Sequence, residues 1–106
     1  MTLSSKLTDP RLFRQYAYVD GKWTHGEGGR EEAVFDPATG EALGHIPWLE
    51  AHQITAAVDA AEAAFVHWRA LRVDERCERL LAWYDLLQAH REDLATLMTL
   101  EQGKPL

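Results

Sequence analysis

The sequence predicts an α+β fold, with short β-hairpin strands over residues 16–47 followed by about three α-helices over residues 50–102. Three observations carry this reading. Turn-forming residues punctuate short apolar runs in the first half. Apolar residues recur at spacings of four and three in the second half. The last periodic segment runs into Gly103, Lys104 and Pro105, residue types that stop a helix.

Residues 1–15 are polar and mixed, with a turn signal at Asp9-Pro10, and are expected to form a loosely attached arm. Tyr16, Tyr18, Val19 and Trp23 then flank Asp20-Gly21, a dipeptide suited to the positive backbone angles of a tight hairpin. His25 to Arg30, with three glycines, is a loop of the hairpin type. Ala33-Val34-Phe35 is the next apolar run, closed by Asp36-Pro37-Ala38-Thr39-Gly40. In that turn Pro37 presets one dihedral, the Asp36 carboxylate accepts backbone N–H groups, and Gly40 releases the chain. Glu41 to Ile46 forms a further strand, stopped by Pro47.

In the first helix Ile54, Val58, Ala61, Phe65 and Trp68 form one stripe, expected to face a core. Ala56, Ala57, Ala60, Ala63 and Ala64 keep the remaining surface narrow and allow close neighbours. A loop at residues 70–73 leads to Asp74, the expected N-cap of the second helix. There Cys77, Leu80, Leu81, Tyr84 and Leu87 mark the face to be buried, while Glu75, Glu78, Arg79 and Asp85 favour water. A break near His90 separates this helix from a third, with stripe residues Leu94, Leu97 and Met98. Short hairpins cannot cover all of these stripes, so some apolar surface is expected to need a partner.

Composition narrows the function. The chain has 17 acidic and 11 basic residues, a net charge of -6, which excludes the basic face of a nucleic-acid binder or an anionic-membrane binder. No run approaches the roughly 20 apolar residues of a membrane helix. The single cysteine allows no internal disulfide and fits a reducing, cytoplasmic setting.

The candidate reactive residues read as structural. Cys77 lies near a helix start between Arg76 and Arg79, which would favour a thiolate, but it also falls on the apolar stripe and is expected to be buried. His25, His45, His52, His67 and His90 lack the spacing of a metal site. Gly26-Glu27-Gly28-Gly29 lies between strand-like segments and carries an acid that repels phosphate, so it is no phosphate cradle. Lys104 is expected to answer helix-end carbonyls. Trp23, Trp48, Trp68 and Trp83 are scattered, as packing residues are, and not interleaved with cations as a base-stacking platform requires. No catalytic, cofactor-binding or metal-binding residue is assigned.

Taken in order, Tyr18-Val19-Asp20-Gly21-Lys22-Trp23, Asp36-Pro37-Ala38-Thr39-Gly40-Glu41, Ala57 to Trp68 and Leu94 to Pro105 resemble the N-terminal region of aldehyde dehydrogenases. The run Met98 to Leu106 is similar to that of the succinate-semialdehyde dehydrogenase subgroup, and Asp36 departs from the family, which usually has Asn there. The resemblance spans residues 16–106 and implies the opening of an α/β cofactor-binding domain whose sheet comes from later sequence. It also implies, for a complete protein, oxidation of an aldehyde to a carboxylate through a cysteine thiohemiacetal, with NAD or NADP accepting hydride. The nucleophile, general base, oxyanion-stabilising Asn and dinucleotide contacts map onto none of positions 1–106, and Cys77 does not match the nucleophile motif.

This chain is therefore expected to be an inactive fragment that binds no cofactor alone. Its expected partners are the rest of the dehydrogenase chain or another copy in a homo-oligomer, not nucleic acid and not a membrane. The alternative is a self-standing helical interaction module that self-associates or binds a protein through its apolar helix faces.

Overall fold

A computed structural model describes residues 2–106. Two short 3-10 helices, Leu3–Lys6 and Pro10–Leu12, lead into strands β1 (Ala17–Val19), β2 (Lys22–Thr24), β3 (Glu31–Phe35) and β4 (Ala42–Pro47). Helices α1 (Ala51–Ala70), α2 (Val73–Ala89) and α3 (Arg91–Gln102) follow. This is the α+β order that the sequence predicts.

The strands form two separate antiparallel hairpins, β1 with β2 and β3 with β4. Asp20 (φ 48°) and Gly21 (φ 75°) both take positive backbone angles, as a two-residue hairpin turn with native twist requires. In the second hairpin the Ala38 N–H donates to Asp36 Oδ1 at 2.8 Å, so an aspartate closes this turn as the sequence anticipates. Pro47 does not stop β4 but ends it, paired opposite Glu31; a proline is tolerated at the end of an edge strand. The loop from His25 to Arg30 joins the two hairpins instead of closing one.

Helix boundaries follow local chemistry. α2 starts two residues earlier than an N-cap at Asp74 would dictate: Glu75 reaches back so that Oε2 accepts the Arg72 N–H at 2.8 Å, leaving Asp74 inside the first turn. α2 and α3 meet at His90, and α3 ends on Gly103 in the left-handed region, its N–H donating to the Thr99 carbonyl at 2.8 Å.

The N-terminal segment is not loose. Leu3 and Leu7 are 5% and 7% exposed, and both oxygens of the Asp93 carboxylate accept backbone N–H groups, from Thr8 and Asp9, at 2.8 Å. Asp93 is itself buried, and the two N–H bonds hold its carboxyl below the usual carboxylate range. On the exposed side, Arg11 donates a hydrogen bond to Asp9 and depresses that carboxyl to about 2.

The rest of the molecule is open. Its accessible surface is 8370 Å², whereas a compact 12.0 kDa monomer exposes about 6,000 Å². The radius of gyration is 16.7 Å against about 13 Å for a compact domain of this length. Neither α1 nor α2 contains a buried residue.

Candidate functional site

The most distinctive feature of the structure is the apolar surface that α1 and α2 present to solvent. Ile54, Val58 and Phe65 are all exposed, Phe65 at 56%, so the stripe expected to face a core is not covered within this chain. The face of α1 turned toward the first hairpin is the alanine side. The hairpin turn Tyr18–Gly21 stands over Ala57, Ala60, Ala61 and Ala64 across a cleft of about 330 Å³. Small side chains allow that approach, and the rotation it requires carries Ile54, Val58 and Phe65 outward.

α2 is more exposed still. Leu81, Trp83 and Leu86 are 61%, 62% and 60% accessible. Placed at 100° per residue, Leu81, Tyr84, Leu80, Leu87, Trp83 and Leu86 spread over roughly 220° of the helix, far wider than one neighbouring element can cover. One flank of this arc lines two adjoining apolar grooves toward α3. A groove of about 380 Å³ is bounded by Leu12, Trp83, Leu86 and Leu94, and one of about 310 Å³ by Leu87, Leu94, Met98 and the tail. On the other flank Leu80, Leu81 and Tyr84 are all exposed.

Cys77 is exposed, which corrects the expectation of burial: it sits on α2 where no other part of this chain covers the helix. The histidines are dispersed. Among the described residues no three His, Cys, Asp or Glu side chains gather to hold a metal ion. His25 packs edge-on against Tyr16, and His52 Nε2 pairs with the Glu27 carboxylate. Trp23 and Trp48 each lie under a guanidinium, Arg14 and Arg30 respectively, as packing on exposed hairpins. Lys104 lines the groove beside α3, and it is the Gly103 N–H, not the lysine, that is seen to bond a helix-end carbonyl.

The glycine-rich loop lies against the N-terminus of α1, a relation that sequence reasoning missed, but that end is already filled. Gln53 Oε1 accepts the N–H of Glu27 at 3.0 Å and of Glu50 at 2.9 Å, while its Nε2 donates to the His25 carbonyl at 3.0 Å. A Cβ on Gly26 would collide with the Trp48 carbonyl, and one on Gly28 with the Glu50 carboxylate. At Gly26 the close backbone carbonyl excludes any side chain, while at Gly28 the near atom is the movable end of Glu50. An incoming phosphate at this loop would meet two carboxylates, Glu27 and Glu50. Among the described residues no helix is long and apolar enough to cross a membrane.

Comparison with known proteins gives a consistent result. Residues 23–106 match the model of the aldehyde dehydrogenase family. Over all 106 residues the chain is 84% identical to a non-phosphorylating aspartate-semialdehyde dehydrogenase of Halomonas elongata, of which it covers 22%. Over 101 residues, 95% of the chain, it is 48% identical to an NADP(+) succinate-semialdehyde dehydrogenase of Escherichia coli, of which it covers 21%. The crystal structure of an E. coli NADP-dependent enzyme superposes with a TM-score of 0.90 at 46% identity, over 93% of this chain and 21% of that one. The chain thus spans about a fifth of the length of the relatives it matches.

Proposed function

The chain belongs to the aldehyde dehydrogenase family, and from that premise we propose that it is the N-terminal part of an NAD(P)-dependent enzyme that oxidises an acid-bearing semialdehyde to the corresponding acid. The observation that carries the reading is the 84% identity to the Halomonas elongata enzyme across every position. That relative and the E. coli one are named for aspartate and succinate semialdehydes, aldehydes whose far end carries an acid group. The setting that fits the single cysteine is the reducing cytoplasm.

In this reading residues 2–106 are scaffold. They present α1 and α2 to the body of the enzyme, and the reacting cysteine, the water-activating base and the dinucleotide contacts are supplied by the remaining four-fifths. The loop at 25–30 fits no phosphate, and Cys77 has no part in the chemistry. Assembly into a homo-oligomer belongs to the complete protein.

The test is to read the coding DNA past codon 106, express whatever continues the frame, and assay it. Aspartate and succinic semialdehydes with NAD+ or NADP+ should give reduced nicotinamide, followed at ~340 nm. The 106-residue chain alone should give none. A stop codon after Leu106, or turnover by the short chain, would overturn the proposal.

A further inference from the structure

We infer that the 106-residue unit is a docking module competent in trans, the exposed α1 stripe and α2 arc forming a seat for the C-terminal four-fifths of an aldehyde dehydrogenase supplied as a separate polypeptide. The inference rests on the proposed function for the identity of that polypeptide.

Three observations choose this occupant over a second copy. The first is area. The chain exposes about 2,400 Å² more than a compact monomer of its mass, whereas a standard protein contact covers roughly 800 Å² on each partner. One dimer contact of that standard size would leave most of the excess in water. The second is geometry. An apolar arc of roughly 220° on α2, with a separate stripe on α1, calls for a body that wraps several sides of the helices. A self-complementary dimer pairs one patch with itself. The third is shape. The chain superposes at a TM-score of 0.90 on a region of a solved enzyme of which it is 21%. The seat thus has the shape that the matching segment takes inside a whole enzyme, so the faces it exposes are those a larger body would meet.

The experiment co-expresses the tagged 106-residue chain with the downstream four-fifths of the Halomonas elongata relative, whose own first fifth is 84% identical to this chain. The expected result is an equimolar complex by light scattering and a larger piece that is soluble only, or mainly, when the short chain is present. Phe65→Asp combined with Leu81→Asp should weaken association at least about tenfold, since both side chains are exposed in the free chain and buried in the complex. Hydrogen exchange on the unmutated pair provides a readout independent of variant folding, with new protection expected along α1 and α2.

A short chain that elutes alone at 12.0 kDa beside the larger piece would overturn the inference. So would a larger piece insoluble with or without its partner, or an α1 and α2 that gain no protection. A complex that forms but oxidises no semialdehyde would leave the seat standing and sink the proposed reaction. No complex, alongside an active continuous chain, would do the reverse.

Discussion

The junction between the N-terminal segment and α3 and the pair of helices α1 and α2 are built from similar residues and end in opposite states. At the junction Leu3, Leu7 and Asp93 lie below a tenth exposed, and a single carboxylate answers two backbone N–H groups. Along α1 and α2, a stripe and an arc richer in large apolar side chains reach no buried position at all. Apolar content therefore does not tell where the core of this chain is. The junction closes because its partners lie within these residues; no such cover for α1 and α2 lies among the described residues, and the proposal places it in the rest of the enzyme.

The largest test of this contrast is truncation on both sides of it. Leu3→Ala or Leu7→Ala removes one of the two apolar side chains buried among the described residues and should cost about 2–5 kcal/mol, measured by urea denaturation. That is a large share of what a small domain has to spare. A loss no greater than that of an exposed leucine would show that the junction does not hold the fold together.

Asp93 gives the next largest effect and a signature in pH. Its carboxyl is held below the ordinary value of 3.8 by the Thr8 and Asp9 N–H groups, so the folded state favours the charged form. A depressed folded pKa gives stability that is complete above the unfolded value and is lost as pH falls through the folded one. Asp93→Asn should lower the urea midpoint at pH 7, and the gap from the unmutated chain should narrow as pH drops below about 4. A gap that stays constant to pH 2 would mean that the charge does not matter at this site.

How much of this was legible depended on range. The turn at Asp20-Gly21, the Asp36 turn and the Gly103 stop are settled by neighbouring residues, and each forms as its sequence dictates. The Asp93 anchor joins residues 84 and 85 positions apart, so Thr8 and Asp9 gave no local sign of it and the segment read as a loose arm. The α1 stripe residues Ile54, Val58 and Phe65 are likewise exposed here. Periodicity identifies the more apolar face, while the alanines of α1 line the cleft under the first hairpin turn. Cys77 was expected inside because α2 carries an apolar arc; the arc is real and its cover is not among these residues. Chemistry was legible only through the resemblance, because the chain spans about a fifth of the relatives it matches and the reacting residues are proposed to lie in the remainder.

The smallest expected effect sharpens the comparison most. Leu81→Ser removes a large side chain that is 61% exposed, and in the isolated chain it should change stability by no more than about 0.5 kcal/mol. It should also reduce the binding of an apolar-surface dye, since a polar group then interrupts the α2 arc. The same substitution placed in a complete enzyme should behave as a core mutation and cost about 2–5 kcal/mol, because the side chain would there be enclosed. The ratio of the two losses measures how much of the stability of α2 comes from outside this chain. Equal losses would mean that α2 stays exposed in the parent as well, and the case for a covering body would fall with it.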